Sequence, residues 1–311
     1  MSGNKIQRRD FLRKASAFSM ATAAFSLEPQ APSGCRQRGQ RPAPAPPEIT
    51  ANPMPVGRLG NLKVSRLIGG HNLVCFPAFA GDGRDAPRLP QAHSPDEKIL
   101  ATFALYEKLG INTAFLQITG PMVAIAGRYV TERAGKLQWI AQLVIDAQGR
   151  SRDLDLAMKL GVHAACIRGI EGDRYAERQI DVLAKAIEEL KGCKIPVGLG
   201  GHNIDTMIAA EKARLPLDFY VKTFNNANTS MSGENAPGET AEIFAKIERP
   251  WIAFRVLGPG RMSARDGFRH AFADGADFVS AGMFDFQLAE DARLVRELLA
   301  GKLERARPWR A

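Results

Sequence analysis

The chain has 311 residues, 42 of them basic and 33 acidic, and a formal charge of +9 at pH 7. The first 50 residues hold eight basic and three acidic residues and residues 301–311 hold four and one, so the central 250 residues carry only +1. Because a nucleic-acid partner would need basic residues on the folded part, we expect none. With 45% hydrophobic residues, the chain is too apolar to be intrinsically disordered.

Residues 1–27 have the features of an export signal: a basic start, a short apolar stretch at 15–27 and a small-residue cleavage pattern at 21–23. The segment QRRDFLRK at 7–14 resembles the twin-arginine (Tat) motif, which implies a periplasmic protein that meets the Tat translocon during export. An amphipathic N-terminal helix is the alternative, but it explains neither the arginine pair nor its position. The apolar stretch is too short to cross a bilayer and no longer one follows, so we expect no stable membrane span.

Residues 28–55 form a predicted tether, with eight prolines between Pro29 and Pro55 and few apolar residues. Lipidation of Cys35 in this tether is an alternative to simple cleavage of the signal. The chain has three further cysteines, Cys75, Cys166 and Cys193, and the four together show no CxxC spacing and no zinc pattern. Whether any two of them form a disulfide is left open.

From residue 56 onward, short apolar runs alternate with helical patterns about every 30 residues. The predicted strands cover 65–70, 112–117, 138–145, 163–168, 196–200, 218–223, 251–257 and 277–282. The predicted helices cover 96–109, 121–133, 151–160, 174–190, 205–213, 240–247, 264–273 and 288–299. Eight strand–helix units predict a (β/α)8 TIM barrel over 56–299, followed by a solvated basic tail over 300–311. A doubly wound sheet is the alternative, but no Gly-x-Gly-x-x-Gly turn follows the first strand.

Polar residues at the ends of the predicted strands form the candidate site, because TIM barrels place their chemistry there. We predict three catalytic residues: His202, Lys222 and Arg255. The predicted substrate-binding residues are His71, Asn72, Gln117, Gln142, Arg168, Asn203, Thr223 and Asp285. His202 is the candidate acid or base, since imidazole titrates near neutral pH. Burial in an apolar strand, with Arg255 on the next strand, disfavours the charged form of Lys222 and favours a nucleophilic amine.

Three alternatives to this assignment stay open. Lys222 could bind a substrate oxyanion or pair with Asp285 instead of reacting. His71 and His202 could share a metal with Asp146, Glu171 or Asp285, but no HxH or HExxH spacing supports this and we assign no metal ligands. Arg168 together with Asp173 could bind a polyhydroxylated or carboxylated ligand.

Four segments resemble the aldo/keto reductases along nearly the whole predicted barrel. They are VGRLGNLKVSRLIGG at 56–70, LGIN at 109–112, GLGGHN at 198–203 and AFRVLGPG at 253–260. The resemblance implies an aldo/keto reductase-like barrel. It does not extend to the family's catalytic Asp, Tyr, Lys and His, because Gln142 falls where the lysine would lie and Arg168 where the histidine would lie. Without a tyrosine acid, the sequence predicts no standard carbonyl reduction.

We therefore expect an exported barrel enzyme that acts on a small carbonyl-bearing, polyhydroxylated, sugar-like substrate by acid–base lyase- or isomerase-type chemistry. The hydrophobic-Lys-Thr context of Lys222 resembles that of class I aldolases, which implies an imine as one variant of this chemistry. An NAD(P)H-dependent reductase and an inactive periplasmic ligand-binding barrel are the alternatives. The sequence assigns no cofactor-binding residues, so NAD(P) and a divalent metal both remain open.

Overall fold

The computed structural model describes residues 53–71, 95–227, 236–258 and 260–311. The predicted export signal lies outside these ranges, as do the tether up to residue 52, Asn72 and Cys75. The assignments made on these segments therefore stay predictions. Among the helices in the described ranges, none has both the length and the apolar character needed to cross a membrane.

The described residues form ten strands and nine helices. The strands are β1 Val56–Leu59, β2 Leu62–Ser65, β3 Leu67–Gly69, β4 Thr113–Gln117, β5 Gln138–Leu143, β6 Ala164–Ile167, β7 Val197–Gly201, β8 Phe219–Thr223, β9 Trp251–Phe254 and β10 Phe278–Ala281. The helices are α1 Pro95–Lys108, α2 Gly120–Arg133, α3 Leu154–Leu160, α4 Gly169–Ala176, α5 Ile180–Gly192, α6 Ile204–Lys212, α7 Pro237–Lys246, α8 Ala264–Ala273 and α9 Asp285–Ala300.

Strands β3 to β10 form a closed parallel barrel, in which each strand pairs with the next and β10 returns to pair with β3. Val279 of β10 is opposite Leu67 of β3, so no strand edge is left open. The closed barrel confirms the predicted (β/α)8 fold and excludes the doubly wound sheet. β1 and β2 form a separate antiparallel hairpin that precedes the barrel.

Two apolar layers hold the barrel together. The inner layer fills the barrel and includes Ile68, Phe115, Val221, Ile252 and Phe278. Leu59 and Val64 of the hairpin join this layer, so the hairpin closes the N-terminal end of the barrel. The outer layer lies between strands and helices and includes Tyr220 and Trp251. Successive strand residues point alternately into these two layers, because side chains alternate across a strand.

Among the differences between the predicted and the observed bounds of the elements, two have a clear local cause. The single helix predicted at 174–190 is wrong, since α4 ends at Ala176 and α5 begins at Ile180. The backbone leaves the helical region at Gln179, with φ −137° and ψ 46°, yet Tyr175 and Leu183 on either side are both buried. Apolar spacing continues across the break and so cannot reveal it. The strand predicted at 251–257 ends at Phe254, because Arg255 has a left-handed φ of 56°.

The prediction of a solvated tail over 300–311 is wrong for its central part. Arg307 is buried, pairs with Asp277 and donates to the carbonyls of Phe244 and Ile247 at 2.8 and 2.7 Å. Arg66, between the hairpin and β3, donates to the Ala311 carbonyl at 2.8 Å. The tail therefore packs over the N-terminal end of the barrel.

Candidate active site at the C-terminal end of the barrel

A carboxylate–imidazole pair lies where β6 and β7 end. His202 follows β7, and its Nδ1 lies 2.7 Å from Oδ2 of Asp173 in α4. The same carboxylate accepts the His202 backbone N–H at 2.9 Å and the Thr206 hydroxyl at 2.7 Å. Burial alone would raise the pKa of Asp173, but the hydrogen bonds from His202 and Thr206 outweigh it, and the pKa lies below its ordinary value. The ionised carboxylate holds a proton on Nδ1 and leaves Nε2 for a ligand.

Close contact between α4 and β7 makes this pair possible. A Cβ placed on Gly172 would lie 1.9 Å from the Gly200 carbonyl oxygen, a distance that no side chain can tolerate. A Cβ on Gly169 would lie 2.9 Å from Cε1 of the His202 ring. The two glycines therefore let the helix lie directly against the strand end and bring Asp173 to His202.

Thr223 and Phe254 continue the site along the inside of the barrel. Thr223 is opposite Phe254 in the β8–β9 register, and both belong to the face that points into the barrel. The Phe254 ring meets the His202 ring edge-on, with centroids 5.5 Å apart. Thr223 is 4% exposed, and its hydroxyl oxygen finds no hydrogen-bond partner among the described residues.

We call the C-terminal ends of β3–β10 the barrel mouth. Gln117 of β4 and Gln142 of β5 line the part of the mouth beside the end of β6. The two glutamines are opposite each other in the β4–β5 register. Oε1 of Gln142 is buried and finds no partner among the described residues. A buried acceptor without a donor is costly, so this atom and the Thr223 hydroxyl are positions that a ligand hydroxyl would satisfy.

Two arginines and a histidine complete the mouth. Nε and Nη2 of Arg168 each donate to one carboxylate oxygen of Glu171 at 2.8 Å, and this contact raises the pKa of Arg168. The carboxylate is almost fully buried, which fixes the guanidinium in place. Burial, together with the charges of Arg168 and Arg255, lowers the pKa of His71 to about 4. His71 is therefore a neutral imidazole at neutral pH, close to both guanidiniums.

Lys222 lies on the other face of its strand. Val221 belongs to the inner layer and Tyr220 to the outer layer, so alternation places Lys222 with Tyr220 on the helix side. Its side chain is fully buried, and Nζ donates to the Thr223 carbonyl at 2.8 Å. The structure therefore separates Lys222 from the inward-facing row that contains His202 and Thr223.

The remaining predicted residues have local contacts at the edge of the mouth. Asn203 is exposed and caps α6, where its side chain accepts the Asp205 N–H at 3.2 Å. Asp285 begins α9 and forms an ion pair with Lys98 of α1. Among the described residues, no three His, Cys, Asp or Glu side chains are grouped so that they could hold a metal ion.

Sequence reasoning missed the role of Asp173. It placed this carboxylate beside Arg168, whereas Arg168 pairs with Glu171 and Asp173 with His202. The only local signal was the GIEGD sequence at 169–173, with two glycines and two acids after a strand. Phe254 was missed as well, because an apolar residue at a strand end is indistinguishable from ordinary core.

Comparisons with known proteins bear on the fold. No family model and no curated protein matches the chain. A candidate aldo-keto reductase from Pseudomonas aeruginosa has a TM-score of 0.57 and 18% identity, covering 78% of this chain and 95% of that one. An aldo-keto reductase from Bacillus halodurans, in its holo form, has a TM-score of 0.54 and 14% identity, covering 82% and 98%.

A truncated 3-deoxy-D-arabino-heptulosonate 7-phosphate synthase from Thermotoga maritima has a TM-score of 0.51 and 15% identity. It covers 80% of this chain and 92% of that one. At such identities the likeness concerns the fold alone. The chain is thus a (β/α)8 barrel similar in architecture to the aldo/keto reductases.

Proposed function

We propose that the chain is a barrel enzyme that transfers protons on a small carbonyl-bearing, polyhydroxylated substrate, with His202 as the acid–base group. The Asp173–His202 pair carries the proposal, with its 2.7 Å contact at the end where barrels of this kind place their chemistry. An anionic partner on Nδ1 stabilises the imidazolium that forms when Nε2 accepts a proton. General acid–base catalysis of this type accelerates a reaction by about 10²–10⁴-fold.

The proposed reaction begins with removal of the proton from the carbon next to the substrate carbonyl. The proton moves to Nε2 of His202 and the electron pair to the carbonyl oxygen, which gives an enolate. Arg168 and Arg255 at the mouth position the substrate for this step. The isomer forms when the proton on His202 returns to the former carbonyl carbon, while the hydroxyl proton of the deprotonated carbon moves to the enolate oxygen and leaves a new carbonyl behind. The lyase product forms when the enolate re-forms its carbonyl and expels the β-hydroxyl, which takes the proton from His202 and leaves as water.

Two features of the mouth support a hydroxyl-rich substrate. The Thr223 hydroxyl and the Gln142 carbonyl oxygen are buried and have no partner in the described part of the chain. Substrate hydroxyls would provide the missing hydrogen bonds. The proposal gives Lys222 no covalent role, because its amine lies on the outer face of β8 and donates to a backbone carbonyl.

The test is solvent hydrogen exchange. The purified protein is incubated in D₂O with D-fructose, D-xylulose, D-glucuronate and 2-keto-D-gluconate, and C–H to C–D exchange is followed by NMR. We expect His202→Gln to lower the exchange rate by about 10²–10⁴-fold and Asp173→Asn to lower it as well. His163→Gln is the matched control, because that imidazole accepts the Trp139 N–H just before β6, at the opposite end of the barrel.

Equal exchange by the wild-type protein and His202→Gln would contradict the proposal. NADPH-dependent reduction of the same carbonyl compounds would favour the reductase alternative, and NADPH fluorescence detects the binding. Borohydride trapping tests the imine, since covalent modification of Lys222 would support its predicted catalytic role. Ligand affinity without turnover across the panel would favour an inactive binding barrel.

We also propose that the protein is exported by the Tat pathway, on the basis of the RRDFL sequence at 8–12. Replacing Arg8 and Arg9 together by lysine keeps the charge and removes the guanidinium pair. The variant is expected not to reach the periplasm, as measured by immunoblot of cell fractions. Periplasmic accumulation equal to that of the wild-type protein would contradict this route.

A further inference from the structure

Arg255 is held in an unfavourable backbone conformation by contacts around its carbonyl. Its φ of 56° is left-handed, which is costly for any residue with a Cβ. The Arg255 carbonyl accepts the side-chain N–H of buried Asn225 at 3.1 Å and the backbone N–H of Gly258 at 3.0 Å. These two contacts stabilise the turn that ends β9 and fix the position of the Arg255 Cα, from which the side chain extends.

The conformation directs the guanidinium toward the proposed reaction centre. Cζ of Arg255 lies 5.7 Å from the centroid of the Phe254 ring, and the same ring lies 5.5 Å from the His202 ring. Phe254 points into the barrel, so the guanidinium above it lies at the mouth and not among the outer helices. Strained residues of this kind are concentrated at functional sites.

Arg168 offers a second guanidinium at the end of β6. Its Nε and Nη2 are committed to Glu171, whereas its Nη1 makes no hydrogen bond to any residue that the structure describes. The His71 imidazole lies close enough to both arginines for each charge to disfavour its protonation. The contact with Glu171 therefore leaves Nη1 of Arg168 as a donor for a ligand.

We propose that the substrate carries an oxyanion as well as hydroxyl groups, and that Arg255 and Arg168 bind this oxyanion while the hydroxyls reach Gln142 and Thr223. The inference rests on the proposed function and narrows its substrate class to sugar acids or sugar phosphates. Both present the same chemistry, since a carboxylate and a phosphate each accept parallel N–H bonds from a guanidinium. The substrate hydroxyls form hydrogen bonds with Oε1 of Gln142 and Oγ1 of Thr223, the two buried oxygens at the mouth that have no partner among the described residues.

Isothermal titration of the purified protein tests the proposal with D-glucose, D-gluconate, D-glucuronate, D-glucose 6-phosphate and NADPH. We expect at least one acid or phosphate to bind at least about tenfold more tightly than glucose, the factor given by one charge-assisted contact. The carboxylate and phosphate arms identify which oxyanion the site prefers. The NADPH arm distinguishes a substrate oxyanion from the phosphates of a dinucleotide.

Variants at Arg255 isolate the guanidinium from the backbone. Arg255→Gly removes the side chain and relieves the left-handed strain, so the fold should persist while the preference for the acid falls to within about twofold of glucose. Arg255→Gln should lose the same preference, which excludes added flexibility as the cause. Arg214→Gly is the matched control, because Arg214 has a similar φ of 53° but is exposed in the loop before β8, at the other end of the barrel.

Arg214→Gly should keep the wild-type preference. Equal affinity for glucose and the anionic sugars would overturn the inference, and so would binding by none of them. The inference would also be overturned if Arg255 were needed for the binding of NADPH but not for the binding of the sugar acids or the sugar phosphate. Acid binding that requires Arg255, without exchange that requires His202, would uphold this inference and refute the proposed chemistry. Exchange that requires His202 on neutral sugars alone would do the reverse.

Discussion

Replacing Arg307 by methionine should destabilise the barrel strongly, although this residue lies in the C-terminal tail. The side chains of Arg307 and Asp277 are 2% and 0% exposed and form an ion pair. Arg307 also donates to the carbonyls of Phe244 and Ile247, at the C-terminal end of α7, and to that of Gly275 at 3.0 Å. The substitution leaves the buried Asp277 carboxylate without its ion-pair partner and removes one hydrogen bond from each of three carbonyls.

Removing one partner of a buried ion pair costs about 3–5 kcal/mol. For a barrel of this size, 1 kcal/mol shifts the melting temperature by about 2–4 °C, so we expect a decrease of roughly 10 °C. Urea unfolding followed by circular dichroism measures the free energy of unfolding of Arg307→Met, Asp277→Asn and the double variant. The double variant should lose less than the sum, because each single change leaves the other partner unpaired.

Lys302→Met is the matched control, since Lys302 lies in the same tail and is exposed. It should change the free energy of unfolding by less than about 0.5 kcal/mol. The reasoning would be refuted if the free energy of unfolding of Arg307→Met were within about 1 kcal/mol of that of the wild-type protein. An additive double variant would refute it as well, because additivity would mean that the two side chains do not interact.

Two further predictions concern the mouth and the helix beside it. The pKa of His71 is about 4 in the fold against 6.5 unfolded, so the unfolded state binds the extra proton and stability falls between pH 6.5 and pH 4, by up to about 3 kcal/mol. His71→Asn should reduce this loss relative to wild type, as measured by urea titrations at pH 7, 5 and 4. Burial raises the pKa of Asp291 to about 6, which acts in the opposite direction in both proteins. An equal dependence of the free energy of unfolding on pH in the two proteins would contradict the assignment. Gly172→Ala should destabilise the fold by about 1–3 kcal/mol and abolish the exchange of substrate C–H with solvent deuterium, because the added Cβ meets the Gly200 carbonyl. Gly127→Ala in α2, with no atom within 4 Å of the added Cβ, should instead stabilise the fold by about 0.5–1 kcal/mol, and equal effects of the two alanines would refute the steric argument.

The barrel could be predicted from sequence because its signal is local. Each strand is a short apolar run, each helix has its own apolar spacing, and eight repeats of the pair lead to a barrel without knowledge of distant contacts. The predicted helix at 264–273 matches α8, whereas the break at Gln179 was missed. That break changes the backbone and leaves the pattern of buried residues unaltered.

The orientation of Lys222 could not be predicted for a related reason. Strands of a closed parallel barrel are buried on both faces, so they are apolar throughout and do not alternate with polar residues. FYVKT at 219–223 therefore gives no sign of which residues point inward. The register of β8 with β7 and β9 determines the orientation, and it places Thr223 on the face inside the barrel and Lys222 on the face toward the helices.

The Asp173–His202 pair depends on a contact between elements. The position of His202 after a strand made it a candidate, but its partner lies 29 residues earlier in the chain. The partner reaches it only because Gly172 allows α4 to touch the end of β7. A single sequence gives no measure of that distance.

Two groups of arginines, one at each end of the barrel, have different tasks. At the N-terminal end, Arg66 and Arg305 enclose the Trp309 ring, with Cζ 4.0 and 3.3 Å from its centroid, and burial lowers the pKa of both to about 10. The charges of Arg305 and Arg307 in the tail are therefore bound within the fold. At the mouth, Arg255 carries backbone strain and faces the space beside His202. Changes at the first end should alter the free energy of unfolding and leave ligand preference intact, and changes at Arg255 should do the opposite. Variants at either end that altered both quantities would contradict this division of tasks.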